Sequence, residues 1–112
     1  MTDLADFLRV RIAERRAIAN TIHDLGCGEI RYDGTCTCGQ PVLILADLDA
    51  KLAIVDEHEP GGRYWPDSSR QYCKTCGSGE PDEYPTDWPC RTLRILARPF
   101  AGHPDYQEDW AA

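Results

Sequence analysis

The sequence has no long apolar run and few cations, and each shortage excludes a class of protein. Its longest apolar stretch is Val42–Ala46, whereas about 20 apolar residues are needed to cross a bilayer. Twelve Lys and Arg residues stand against 19 Asp and Glu residues, which gives a formal net charge of −7. Because phosphates are bound by clustered cations, this balance disfavours nonspecific contact with nucleic acid or with anionic membranes.

The N-terminus lacks the features of a secretory signal, because residues 1–6 are acidic in character and no apolar core follows them. We therefore expect a cytoplasmic location, where the six cysteines of this 112-residue chain are more often metal ligands than disulfide partners. The sequence also has no H-E-x-x-H motif, zinc-deaminase motif, P-loop or nucleophile elbow. The expectation is that the chain is not an enzyme.

The length and the apolar periodicity predict one small, mainly helical domain whose irregular loops are stabilised by zinc, with one short β-hairpin. The hairpin is expected at the turn dipeptide Asp33-Gly34. The predicted elements, in chain order, are a helix over residues 3–22, a Cys-rich loop over 26–40, a helix over 41–58, a Cys-rich loop over 60–89, a helix over 88–100 and a turn over 103–110.

Four residues around the second Cys-rich loop predict a zinc site. Cys73 and Cys76 form a C-x-x-C-G element, in which two thiolates can bind one tetrahedral ion. Cys90 lies at the predicted start of a helix, where the helix dipole favours a thiolate, and His58 lies at the predicted end of another. The alternative is a pair of reactive or buried thiols with an unrelated surface histidine.

A second zinc site is predicted from the first Cys-rich loop, so two ions are expected. Its ligands are His23, Cys27, Cys36 and Cys38. The C-x-C spacing of the last two is a weaker metal signal than C-x-x-C. Unpaired thiols, or one mixed site with ligands from both loops, are the alternatives. His103 precedes Pro104 and is expected to start a helix or to pack, not to bind metal.

Three other chemistries fit six cysteines less well. A disulfide scaffold conflicts with the expected location and with the helices. An iron–sulfur cluster would also use thiolates. A catalytic zinc would need an open coordination position and a nearby base, and the acidic neighbours of His58 are not distinctive in so acidic a chain.

Several residues, most of them in the second half of the chain, also occur together in a known family. They are Leu48-Asp49-Ala50-Lys51, Ile54-Val55-Asp56-Glu57-His58, Cys73 and Cys76, Pro89-Cys90-Arg91-Thr92-Leu93-Arg94, Leu96-Ala97, His103-Pro104-Asp105-Tyr106 and Asp109-Trp110. In these residues the chain from about Ala46 to Trp110 resembles small uncharacterised proteins of actinobacteria and their phages. The stretch Leu4–Arg11 resembles the N-terminal helix of that family. The resemblance implies a cytoplasmic, actinobacterial or phage setting and no particular activity.

Two functions of different classes follow from these features. In the first, metal-held loops present aromatic side chains, chiefly Trp65 and Tyr84, to a protein partner, since aromatic residues commonly anchor interfaces. The surrounding acidic residues favour a basic partner surface, and a phage gene would direct the module to a host protein. In the second, the arginines of the first and third helices bind nucleic acid, as in a small transcription regulator. The net charge opposes this alternative. For the aromatic residues, the alternative is that Trp88, Trp110 and some of the tyrosines fill the core.

Overall fold

A computed structural model describes residues 3–22, 27, 38–63, 71–76 and 87–112 of the chain. The described part is mainly helical and contains one two-stranded antiparallel hairpin, which confirms the predicted fold class. The elements are helix α1 (Leu4–Ile18) with a 3₁₀ turn (Ala19–Thr21), helix α2 (Gln40–Glu57), strands β1 (Pro60–Arg63) and β2 (Gln71–Cys73), helix α3 (Arg91–Leu96), and 3₁₀ turns at Arg98–Phe100 and Glu108–Trp110.

Helix α1 begins at a side-chain cap and buries one apolar stripe. The Asp6 backbone N–H donates to Oδ1 of Asp3 at 2.8 Å, which satisfies one of the donors that a helix start leaves free. Leu4, Leu8 and Ile12 recur at helical spacing, and all three are buried. Since the opposite face of α1 is exposed, the helix lies on the outside of the core, as the spacing predicts.

Helix α2 begins directly after a glycine that needs its conformational freedom. Gly39 has a φ of 78°, in the left-handed region that costs little only for glycine. Two ion pairs then join α2 to α1. Arg9 pairs with Asp56 at 3.1 Å and Arg16 pairs with Asp49. From the first pair to the second, the residue number rises in α1 and falls in α2. The two helices therefore run antiparallel.

The hairpin lies where the sequence predicted an irregular loop. Strands β1 and β2 pair antiparallel, with a bulge between Pro60 and Gly62. A Cβ atom at Gly61 would collide with the ring of Tyr72, so glycine is needed there. Both strands lie within the Cys-rich loop predicted over 60–89, where Pro-Gly-Gly signals a helix end and gives no alternating pattern. The hairpin predicted at Asp33-Gly34 lies outside the described residues.

The core joins all parts of the described chain. Its fully buried side chains include Phe7 of α1, Val55 of α2 and Leu93 of α3. Trp110 packs on Phe7 with 5.0 Å between ring centroids, so the C-terminal segment closes the core against α1. Cys73 and Cys90 belong to the same buried cluster. None of the described helices is both long and apolar enough to cross a membrane.

Candidate metal centre

Four potential metal ligands come from the ends of different elements and meet at one point. His58 caps the C-terminus of α2, and its backbone N–H donates to the Ile54 carbonyl at 3.2 Å. Cys73 ends β2, Cys76 lies in the turn that follows, and Cys90 is the N-cap of α3. The ligand atoms of these four residues all lie within 4.8 Å of one another. The structure thus brings together the whole of the first predicted set.

The distances within this Cys3His cluster suit tetrahedral coordination. Nδ1 of His58 lies 3.4 Å from Sγ of Cys73, 3.4 Å from Sγ of Cys76 and 3.5 Å from Sγ of Cys90. A tetrahedral zinc ion with ordinary Zn–S and Zn–N bond lengths separates its sulfur and nitrogen ligands by about 3.6 Å. The cluster could therefore hold a metal ion with little rearrangement.

Hydrogen bonds connect the segments that carry the ligands. The indole N–H of Trp88 donates to the His58 carbonyl at 2.7 Å, and the Trp88 backbone N–H donates to the Gln71 carbonyl at 2.9 Å. The Thr75 hydroxyl donates to the carbonyl of Glu57. These bonds fix the end of α2, the hairpin and the chain before α3 relative to one another. Ligand positions are therefore set by the surrounding fold.

The cysteine nearest to solvent is also the one whose thiol is most perturbed. Loss of solvation, and after it the neighbouring sulfurs of Cys73 and Cys90, raise the pKa of the Cys76 thiol to about 12. A thiolate at Cys76 would be repelled by negative charge on either neighbouring sulfur. A divalent cation supplies the opposite charge and reverses this effect. The donor set therefore fits a metal ion better than it fits three free thiolates.

The Cys3His cluster is partly shielded from solvent. Cys73 and Cys90 are buried, His58 is half-buried and Cys76 is exposed. The Cys76 N–H also donates to Sγ of Cys73 at 3.4 Å, a bond that stabilises negative charge on that sulfur. Four protein ligands complete a tetrahedral shell, which is the arrangement of structural metal sites.

The other predicted site residues are described only in part. Cys27 and Cys38 are half-buried, whereas His23 and Cys36 lie outside the described residues, so the second metal set stays a prediction. The same holds for the expected interface residues, Trp65 and Tyr84, which also lie outside the described part of the chain.

His103 lies away from the Cys3His cluster and packs, as the sequence predicted. Its ring stands edge-on to Phe7, with 5.7 Å between centroids, and contacts the guanidinium of Arg11. The Asp105 backbone N–H donates to Nδ1 of His103 at 3.0 Å. Sequence analysis did not predict the burial of Arg11, which is only 7% exposed, because arginine is mostly found exposed and its type gives no sign of a buried contact.

The fold and the Cys3His cluster together define a small helical domain with a potential metal site. Along residues 1–112 the chain matches the model of a family described as a family of unknown function, DUF6221. The chain therefore belongs to this family, and the match covers all of its 112 residues. Neither the curated proteins nor the solved structures contain a match to the chain.

Proposed function

We propose that this chain is a structural-zinc-stabilised binding module that acts in the cytoplasm on a protein partner. The observation that carries the proposal is the convergence of His58, Cys73, Cys76 and Cys90, whose ligand atoms lie within 4.8 Å of one another. Zinc is the metal proposed, because three thiolates and one imidazole in tetrahedral array are a common zinc ligand set.

A structural role is favoured over a catalytic one by the ligand count. Catalytic zinc ions keep a position for water or substrate, whereas four protein ligands leave none. The chain segments that carry these ligands also pack into the core through Cys73 and Cys90. Metal-binding energy at such a site is folding energy, and a domain of this size gains usefully from it.

The partner-binding role rests on the chain between the ligands. An ion in the Cys3His cluster would hold the ends of two arcs, residues 59–72 and 77–89, which carry Trp65 and Tyr84 respectively. Arcs held at both ends lose little entropy on docking. Acidic residues in the second arc favour a basic protein surface, and a host protein is the proposed partner if the gene is phage-borne.

Three of the four arginines of α1 pair with carboxylates, which favours a protein partner over nucleic acid. Arg9 pairs with Asp56 at 3.1 Å, Arg16 pairs with Asp49, and the buried Arg11 pairs with Glu14 at 3.0 Å. Cations whose charge is already balanced within the fold contribute little to phosphate binding.

The arginines of α3 and of the turn after it also bond within the chain. Arg94 donates to the Ala111 carbonyl at 3.4 Å and Arg98 to the Ala112 carbonyl at 3.1 Å. Arg91 and Arg98 are exposed, and Arg94 is half-buried. A nucleic-acid-binding zinc protein or transcription regulator stays the alternative, with Arg91 as its best-placed contact.

The test uses affinity capture with the zinc-loaded chain and a mobility shift on mixed DNA and RNA. We expect the zinc-loaded chain to capture a protein, and we expect salt to release it. The chain should no longer capture that protein after zinc is removed. A salt-dependent mobility shift without a captured protein would support the nucleic-acid alternative instead.

We also propose that a second zinc ion binds His23, Cys27, Cys36 and Cys38. Elemental analysis of the purified chain is the direct test, because two sites give a stoichiometry near two zinc ions per chain. A value near one would remove the second site and leave the Cys3His cluster intact.

A further inference from the structure

A groove lies between the helices, and none of its lining residues belongs to the Cys3His cluster. It encloses about 500 Å³ and is lined by ten apolar and three charged side chains from α1, the turn after it, α2, α3 and the 3₁₀ turn Arg98–Phe100. Small-molecule sites typically enclose about 300–1,000 Å³ and have mainly apolar walls. The volume and the lining of this helix groove thus match a ligand site.

Among the described residues, none covers the helix groove at the end where α1 finishes and α2 begins. The pairs Arg9–Asp56 and Arg16–Asp49 fix the antiparallel alignment, which places Ile22 opposite Leu43. Leu43 is 63% exposed and Ile22 is 39% exposed, and both line the groove. Large apolar side chains exposed together around a concavity mark a binding surface.

Three charged side chains line the helix groove, and one of them is a cation without a carboxylate partner among the described residues. Lys51 and Asp47 pair with each other at 2.8 Å. Arg15 has no carboxylate partner within the described part of the chain, and its guanidinium lies 5.5 Å from the centre of the Phe100 ring, in the groove wall. In a protein of net charge −7, this apolar groove therefore carries a local positive charge.

We propose that the helix groove binds a single-chain amphiphile with one anionic headgroup, namely a long-chain carboxylic acid. The alkyl chain lies along the apolar walls, where burial of its methylene groups supplies the affinity. The carboxylate bonds to the Arg15 guanidinium, whose planar donors match its geometry. This inference is independent of the proposed zinc-binding and partner-binding roles.

A docking helix fits the helix groove less well than an alkyl chain. A helix is about 10–12 Å across with its side chains and rises about 5.4 Å per turn, so 500 Å³ corresponds to roughly one turn. Helices that bind grooves anchor through residues at i, i+3, i+4 and i+7, which span about two turns. The enclosed volume therefore favours the smaller ligand.

The test is isothermal titration of the zinc-loaded full chain with dodecanoate below its micelle concentration. Dodecyltrimethylammonium, which has the same tail and the opposite charge, is the control ligand. We expect one dodecanoate per chain and weaker binding of the ammonium. Arg15→Gln should lower dodecanoate affinity about tenfold, because a charge-assisted hydrogen bond is lost. Arg91→Gln removes an exposed arginine of α3 that does not line the groove, and should have no effect.

A second pair of variants tests the apolar wall. Leu43→Gln places an amide in the helix groove and should lower the affinity for dodecanoate at least as much as Arg15→Gln does. Val42→Gln changes the adjacent residue, which is 70% exposed and is not part of the lining, and should leave binding unchanged. Circular dichroism shows whether each variant is folded.

Four results would overturn the proposal. They are no heat of binding with dodecanoate, equal affinity for the anionic and cationic ligands, equal effects of Arg15→Gln and Arg91→Gln, and equal effects of Leu43→Gln and Val42→Gln. A chain that sediments as a dimer and becomes a monomer with Leu43→Gln would show that the groove is an interface between copies. Capture of a protein helix in place of dodecanoate would likewise assign the groove to a different ligand.

Discussion

Among the four ligands of the Cys3His cluster, Cys73 and Cys90 also belong to the buried core, so each has two roles. Cys73→Ser or Cys90→Ser removes a thiolate and leaves a hydroxyl in an apolar setting. We expect either change to lower zinc content and to reduce the free energy of unfolding by about 3 kcal/mol or more, because metal binding is coupled to folding. Elemental analysis, denaturant unfolding and the dispersion of the amide NMR spectrum measure these losses.

The matched control is His103→Ala, which removes an imidazole that packs on Phe7 at 5.7 Å and lies outside the cluster. Its zinc content should equal that of the unchanged chain. If Cys73→Ser retains full zinc and a well-dispersed spectrum, the metal centre is not where the four ligands converge.

Protons compete with metal at these thiols, and this sets the pH dependence of zinc affinity. The pKa of Cys76 is raised to about 12 in the metal-free fold, so its thiol is protonated at neutral pH and must lose a proton when zinc binds. Affinity should therefore rise with pH between about 6 and 8 and fall as the solution is acidified. Competition with a chromophoric chelator measures it. An affinity independent of pH would show that thiolates do not bind the ion.

At the scale of the elements, the start of α2 depends on one backbone conformation. Gly39 has a φ of 78° and no atom within 4 Å of an added Cβ, so the cost of Gly39→Ala comes from the backbone alone. We expect a loss of about 1 kcal/mol in the free energy of unfolding. Gly102→Ala is the control, since that site is equally open and its φ is not in the left-handed region. Chemical denaturation of both variants tests this, and equal stabilities would contradict it.

The helices were the most predictable elements, and the hairpin was the least. The spacing of Leu4, Leu8 and Ile12 predicts helix α1 directly. The C-x-x-C pair, with a histidine and a cysteine at predicted helix ends, indicated the candidate metal ligands. Strand pairing of Pro60 with Cys73 depends on contacts between residues far apart in sequence, and three- or four-residue strands show no alternation. The bond from Trp88 to the His58 carbonyl has no sequence signal, because any backbone carbonyl can accept it.

Sequence analysis also did not predict the helix groove, and this failure has a physical cause. Helix α2 is apolar on several sides at its start, where Val42 and Leu43 are both exposed. Periodicity alone assigns such residues to a core. Which of them face a cavity depends on how α1, α2 and α3 cross, and sequence spacing carries no information on crossing angles.

At the scale of the whole molecule, the charge distribution separates the two functional hypotheses. The chain carries a net charge of −7, and ion pairs such as Arg9–Asp56 use some of its few cations within the fold. The long-range field is therefore negative, which attracts basic protein surfaces and repels nucleic acid. The acidic residues and aromatic residues of the arc 77–89 would add short-range contacts to that attraction.

The final prediction tests this division with three variants of the zinc-loaded chain. Trp65→Ala and Tyr84→Ala should leave zinc content and folding unchanged. Each should lower the affinity for a captured protein partner by about tenfold or more, as loss of an aromatic interface anchor does. Binding of the unchanged chain should also weaken as salt is raised. Arg91→Gln, which removes an exposed arginine of α3, should leave the protein partner unaffected. Calorimetry of the purified pair measures all three. If both aromatic variants bind the partner with unchanged affinity while Arg91→Gln abolishes a mobility shift on DNA, the protein-binding module is wrong and the nucleic-acid alternative takes its place.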